Sequence, residues 1–278
     1  MHSRVLIVNG NTRAANVRIV SLGGAASGDG YAEALRHIEP DLDCTVLNAA
    51  DGETLPPGVA LTDFDGIAWT GSALSAYRDE PAVRGQIDLA RQVFGSGVPC
   101  FGSCWGLQIM CAALGGEVRA NPNGVEVGIA RRIQLTAEGQ AHPMYDGKGP
   151  AFDAIAIHRD DVATVPDGAI VLAANAMSRV QALAVETDGG RFWGVQYHPE
   201  FDLATIARLI RRDREDLIDQ GLFRAGEDVQ SLTTHFAELH DDPNRKDLAW
   251  RYGLDAAVLD PAHRMQELAN WLRRDVLR

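Results

Sequence analysis

Cysteine is scarce in this chain. The four thiols among 278 residues, Cys44, Cys100, Cys104 and Cys111, show no paired zinc-finger spacing, and three of them crowd into one short segment. That argues against a disulfide framework or a structural zinc site, and reduced thiols in a cytoplasmic compartment are the expectation. Basic residues are in deficit, 26 Lys and Arg against 38 Asp and Glu for a net charge of -12. A chain this acidic is a poor nonspecific binder of nucleic acid, because phosphate contacts need Lys and Arg surfaces. No stretch approaches the roughly 18 apolar residues of a membrane helix. The opening Met1-His-Ser-Arg-Val-Leu-Ile-Val-Asn-Gly10 runs straight into a strand and a turn, not into the apolar region and cleavage site of a leader. There is no His-Glu-x-x-His pair and no Gly-x-x-x-x-Gly-Lys-Ser/Thr phosphate loop, so neither a metal nor an organic cofactor is expected. Internal repeats and low-complexity tracts are also lacking.

What is present is ordinary for a globular enzyme: 46% hydrophobic and 23% charged residues. The length suits one large α/β domain with a small appendage. Val5-Leu-Ile-Val8 predicts a strand covered on both faces. Further strands are predicted at Cys44–Leu47, Phe64–Thr70 and Val98–Gly102, and helices at about Tyr31–Ile38, Pro81–Phe94 and Trp105–Leu114. Such alternation predicts a mainly parallel open sheet flanked by helices. Between about residues 116 and 184 short strand-like pieces lie between turn signals. Gln181–Glu186 and Phe192–Tyr197 then read as a hairpin returning to the core. Beyond about residue 205 the chain is charged and helix-like. Arg211-Arg-Asp-Arg-Glu-Asp216 reads as a solvated face, and Met265, Leu268, Trp271 and Leu272 as the apolar stripe of a last amphipathic helix. The boundaries drawn are 1–205 for a catalytic domain and 206–278 for a C-terminal helical extension, which either pads that domain or serves as a lid or docking surface.

Gly102-Ser-Cys-Trp-Gly106 places a cysteine between glycines at a strand-to-helix junction. This is the cysteine form of the nucleophile elbow. A sharp turn strains the central residue, and flanking glycines remove the clashes that side chains would make. The thiol would stand at a helix N-terminus, where the dipole favours thiolate. Cys44, Cys100 and Cys111 have no such setting and read as inert buried thiols. Tyr197-His-Pro-Glu200 follows a predicted strand, with His198 and Glu200 on one face of an extended segment. A carboxylate beside a histidine fixes its tautomer and stabilises its cation.

Together Gly102-Ser-Cys-Trp-Gly-Leu-Gln108 and Tyr197-His-Pro-Glu200 resemble the class I (triad) glutamine amidotransferases, in particular the glutaminase part of GMP synthetase. The resemblance runs from the first strand to about residue 205 and implies a flavodoxin-like α/β fold. By it Cys104, His198 and Glu200 form the catalytic triad. Trp69-Thr-Gly-Ser72 with Ala76-Tyr-Arg-Asp-Glu-Pro81 looks like the family's oxyanion loop, which implies an oxyanion hole from the amides of Gly71 and Trp105. Ile157-His-Arg-Asp-Asp-Val162 is similar to the family's His-x-Asp-x-Val segment, so that Asp160 would meet the substrate ammonium; Arg159 stands where the family has a small residue. Gln108 and the backbone around Gly128 would shape the γ-glutamyl pocket. Two roles are open for Gln108, pocket or helix packing, and for Asp160, ligand or ordinary loop carboxylate.

The resemblance implies a glutaminase that releases ammonia through a cysteine thioester and passes it to an acceptor enzyme. No Ser-Gly-Gly-x-Asp-Ser synthetase loop is seen, and only about 70 residues follow the matching part. The acceptor is therefore expected to be a separate synthetase subunit. The alternatives are a stand-alone γ-glutamyl peptide or amide hydrolase and, from another class, a non-catalytic binding module on the same fold. Self-association stays open.

Overall fold

The run Val5–Val8 is fully buried in the structure, a computed structural model that describes residues 2–277. Its strands are β1 (Arg4–Val8), β2 (Asp43–Leu47), β3 (Gly66–Trp69), β4 (Cys100–Ser103), β5 (Glu117–Ala120), β6 (Glu126–Leu135), β7 (Ala151–His158), β8 (Asp160–Thr164), β9 (Ala169–Ala174), β10 (Ala182–Thr187) and β11 (Gly190–Val195). The helices are α1 (Arg13–Ser21), α2 (Ser27–Ile38), α3 (Pro81–Gly95), α4 (Trp105–Ala113), α5 (Ala137–Ala141), α6 (Leu203–Arg212), α7 (Arg214–Asp219), α8 (Gly226–Asp241), α9 (Lys246–Tyr252), α10 (Ala256–Leu259), α11 (Pro261–Arg264) and α12 (Gln266–Trp271).

Nine strands form one sheet in the order β2-β1-β3-β4-β11-β10-β9-β6-β7, and β5 pairs with β8 in a separate ribbon. The first five run parallel, as the strand–helix alternation predicts. The segment of short strands then extends the same sheet as an antiparallel wing, with β10 and β11 as its hairpin. Period-two alternation along β1 divides the core. Val5 and Ile7 face Tyr31, Phe101 and Trp271, while Leu6 and Val8 face Trp69, Trp105 and Leu107. Both faces are therefore covered, and an uninterrupted apolar run results.

Two helical features differ from expectation. Helix α1 was not expected, because Asn16 is its only buried residue and no apolar stripe marks it; its sequence signal is the cap, Thr12, whose hydroxyl accepts the Ala15 amide at 3.3 Å. The glycine-rich stretch before Tyr31 is partly helical, with α2 starting at Ser27. Gly28 lets the helix lie against β2, since a Cβ there would stand 2.6 Å from Val46 Cγ1.

The last helical segment belongs to the core. Leu268, Trp271, Leu272 and Val276 join the cluster around β1, whereas Trp250 is 82% exposed. This segment also carries a buried ion pair, Lys148 Nζ to Glu267 Oε1 at 2.6 Å. The Tyr197 hydroxyl donates to the same oxygen at 2.6 Å and is itself 2.9 Å from the Tyr145 hydroxyl. The C-terminal helix thus grips the residue just before His198. Removing one member of a buried pair leaves the other charge uncompensated. Lys148→Met is expected to cost about 3–5 kcal/mol in urea unfolding; a cost under about 1 kcal/mol would show that Glu267 is not held as a buried charge.

Candidate active site

Cys104 sits between β4 and α4 with φ 50° and ψ -97°, and it is one of two non-glycine residues with positive φ among those described. Such backbone is costly for a side chain, of order 1–3 kcal/mol. The flanking glycines explain how the turn closes. A Cβ on Gly102 would lie 2.6 Å from the Gly106 carbonyl carbon, and one on Gly106 2.7 Å from the Trp69 carbonyl oxygen. Backbone packs directly on backbone there, which no other residue type allows. Cys104 heads α4, so its sulfur stands at the end of that helix where amide N–H groups are free. Cys100 and Cys111 are buried away from it, and burial pushes both thiols far up from the ordinary cysteine value.

His198 follows β11 and is 2% exposed. Its amide donates to the Ile155 carbonyl at 2.8 Å, and its Nδ1 lies 2.7 Å from Glu200 Oε1. A turn, closed by the Phe201 amide to the His198 carbonyl at 3.2 Å, brings the two together, in place of the extended segment the spacing predicts. Proline at position 199 favours that turn. Phe201 stacks on the imidazole at 4.0 Å with rings 1° apart. The Cys104 thiol, which donates to the Ile157 carbonyl at 3.8 Å, stands beside the imidazole in the same cavity. Burial disfavours its charge, but the Glu200 carboxylate and the Cys104 contact outweigh burial and raise its pKa to about 10.

That shift has a sign in stability. A histidine raised from 6.5 to about 10 stabilises the fold fully below pH 6.5 and loses that contribution as pH rises through 10. The stability lost in Glu200→Gln is therefore expected to be largest near pH 6 and to shrink toward pH 10, measured by urea unfolding across that range. A difference constant with pH would contradict the pairing.

Gly71 touches the imidazole: a Cβ there would be 2.6 Å from His198 Cε1. Its amide has no acceptor among the described residues, and Trp105 is the first residue of α4, so its amide has no preceding turn to bond. Two residues absent from the sequence reading hold these groups. Asn11 Oδ1 accepts the Ala73 amide at 2.9 Å, fixing the loop after Gly71. Gln86, fully buried, accepts from Trp105 Nε1 at 2.8 Å and donates to the Gly10 carbonyl at 3.3 Å. Neither belongs to a recognisable motif; Asn9-Gly10 marked only a turn.

Gln108 and Asp160 line the same cavity as Cys104 and His198. Gln108 Nε2 donates to the Asp160 carbonyl at 3.1 Å and to Gln196 Oε1 at 3.0 Å, so the helix after Cys104 braces the strand that carries Asp160. The Asp160 carboxylate accepts from the Tyr77 hydroxyl at 3.2 Å. Behind them His158 lies between the Asp160 carbonyl and Glu126. Burial pushes Glu126 up, yet hydrogen bonds from His158, Asn175 and Gln181 hold it below the usual carboxylate value. Arg159, the departure from the resembled segment, pairs with Asp216 of α7 and so ties the C-terminal helices to the site.

Gly128 is not brought to the cavity. It lies inside β6 opposite Ala156, and a Cβ there would meet only Ile210 of α6, at 3.9 Å. Its φ of 86° accounts for the glycine by backbone conformation. The charged run at the end of α6 also differs from a purely solvated face: Arg212 and Asp213 are turned in and hydrogen-bonded to each other at 2.7 Å. The cavity measures about 1010 Å³. Among the described residues no group of three His, Cys, Asp or Glu side chains is placed to hold a metal ion, and no helix is long and apolar enough to cross a membrane.

A family model for glutamine amidotransferase class-I matches residues 30–214, more than half of the chain. The chain belongs to this family. As a class-I amidotransferase it keeps the expected sheet with its C-terminal helices. A crystal structure of a glutamine amido transferase from Methylobacillus flagellatus matches 100% of the chain and 97% of that protein, with a TM-score of 0.71 at 20% identity. A gamma-glutamyl-L-1-hydroxyisopropylamide hydrolase from Pseudomonas sp is 31% identical over 277 residues, 97% of this amidotransferase and 92% of that protein. A GMP synthase (glutamine-hydrolyzing) from Leifsonia xyli subsp. xyli is 37% identical over 135 residues, 49% of this chain. The match spans only 25% of that synthase.

Proposed function

We propose that this class-I amidotransferase cleaves the γ-amide bond of γ-glutamyl compounds, of which glutamine is the smallest, through a thioester on Cys104. The supporting observation is the strained cysteine at the head of α4 with His198 beside it in the same cavity, the imidazole held from behind by Glu200. With its proton already held by His198, the Cys104 sulfur attacks the γ-carbonyl as thiolate. The carbonyl oxygen, now negative, takes hydrogen bonds from the Gly71 and Trp105 amides, each worth about 3 kcal/mol of barrier. As the C–N bond breaks, His198 returns the proton to the leaving amine. Water, deprotonated by the same imidazole, then splits the thioester, releasing glutamate and restoring the thiol. Glu200 keeps the ring oriented and stabilises its cation. Asp160 would meet the substrate's α-ammonium, with Gln108 fixing the position of the Asp160 backbone. Residues 1–205 would hold this chemistry, with 206–278 as an extension completing the cavity wall.

Two observations favour amides larger than glutamine: the cavity continues well past Cys104, and the relative matched along nearly its whole length is named for a substituted γ-glutamyl amide. Four unbridged cysteines are in keeping with a reducing, cytoplasmic setting. The test is to give the purified chain glutamine and a set of γ-glutamyl alkylamides with no other protein present and to follow glutamate. Cleavage of the alkylamides is expected. Glutamine hydrolysis that starts only when a synthetase is added, with the alkylamides untouched, would favour a partner-dependent glutaminase.

A further inference from the structure

The cavity does not end at the reacting groups. From Cys104 and His198 its wall continues along α6 to Arg208 and on to Arg264 at the end of α11. In a chain with a surplus of acid, two of the arginines lining the cavity have carboxylate partners: Arg159 has Asp216 and Arg212 has Asp213. Arg208 and Arg264 differ. Both are half-buried, and the Nε of each is sealed from solvent with no hydrogen-bond partner among the described residues. Neither makes an ion pair among those residues; Arg264 donates only to the Val258 carbonyl, at 3.0 Å. Asp213, the nearest acidic lining residue in sequence to Arg208, is taken by Arg212, and Asp202 is occupied by the Thr205 amide at 2.7 Å and lies 3.6 Å from His240 Nδ1. Asp202 and Asp260 lie near enough to Arg264 to act on its charge, yet neither hydrogen-bonds it, and half-buried guanidinium N–H groups left without acceptors are costly unless a ligand supplies them.

Their position assigns them to one end of the substrate. The amino-acid head of a γ-glutamyl group belongs near Asp160, whose carboxylate is bonded to Tyr77, and the neighbouring Arg78 lines the cavity on that side. Arg208 lies on a different wall element, five residues along the helix that starts just after His198 and Glu200, beside Gly24, where a Cβ would be 3.7 Å from its Nε.

We propose that Arg208 and Arg264 bind an anionic group on the amine half of the substrate, so that the preferred compounds are γ-glutamyl amides whose leaving amine carries a carboxylate. This rests on the γ-glutamyl amide reading above. A guanidinium matches a carboxylate with paired, charge-assisted hydrogen bonds, which a neutral amide of the same size cannot replace.

The test compares γ-glutamylglycine with γ-glutamylglycinamide, equal in size and different in charge. The expected kcat/KM ratio favours the carboxylate compound by at least about tenfold, and Arg208→Met and Arg264→Met each bring the ratio toward one. Equal values in the unaltered protein would overturn the proposal, as would a ratio unchanged in both variants. Equal loss on both compounds would place the arginines at the substrate's own α-carboxylate and overturn it too. Calorimetry with Cys104→Ala separates this from the reaction. If neither compound is cleaved, the hydrolase reading fails, while tighter binding of γ-glutamylglycine still supports the anion site and equal binding removes it.

Discussion

Cys104→Ala is expected to lower γ-glutamyl amide cleavage by at least about 10⁴-fold, because no other group near the site can form the acyl intermediate. The other buried thiols offer no substitute, since burial pushes Cys100 and Cys111 strongly toward the protonated form. The variant should still bind substrate, as His198, Glu200 and the cavity wall are untouched. Its backbone strain should also persist, because alanine keeps the Cβ that a φ of 50° disfavours. Cys104→Gly, equally inactive, is then expected to be more stable than Cys104→Ala by about 1 kcal/mol or more in urea unfolding. Glutamate release within tenfold of the unaltered protein would remove the nucleophile assignment. Equal stability of the two variants would show that the turn is not strained.

Gly71→Ala is the second large effect, expected at about 10²–10³-fold in kcat/KM. The added methyl would stand 2.6 Å from His198 Cε1. The ring has little freedom to yield, tied to Glu200 at 2.7 Å on one side and stacked on Phe201 at 4.0 Å on another. The loop must therefore retreat, and with it the Gly71 amide that we propose holds the oxyanion. Asn11 opposes that retreat through the Ala73 amide, so both catalytic parts are disturbed together. The fold should survive, because Gly71 lies outside the sheet. Activity within threefold of normal, with an unchanged unfolding midpoint, would mean the Gly71 amide does not face the reaction.

Most of the parallel half of the sheet was legible for a simple reason. Its central strands β1, β3 and β4 are covered on both faces, so Val5–Val8 is written as an unbroken apolar run, while the edge strand β2 is only half-buried. Helix α1 was not legible because it buries only Asn16 and leaves Val17 and Val20 exposed. The hairpin to β11 was visible through Asp188-Gly-Gly190, but its place beside β4 was not, since the paired Phe192 and Cys100 lie 92 residues apart in sequence (192 minus 100) and meet only in the folded sheet.

The sequence by itself determined the strained turn at Cys104 and the pairing of His198 with Glu200. Gly102, Cys104 and Gly106 are dictated by local geometry, and His198 and Glu200 lie two residues apart, so both signals are short-range. Only the tertiary structure decided what surrounds them. It brought Asn11 and Gln86 to the Gly71 loop and Trp105, left Gly128 against α6, buried Glu267 beside Tyr197, and left the Nε groups of Arg208 and Arg264 without acceptors on the cavity wall among the described residues. Each of these depends on contacts between segments far apart in the chain, and no local spacing or propensity records which distant side chain will arrive.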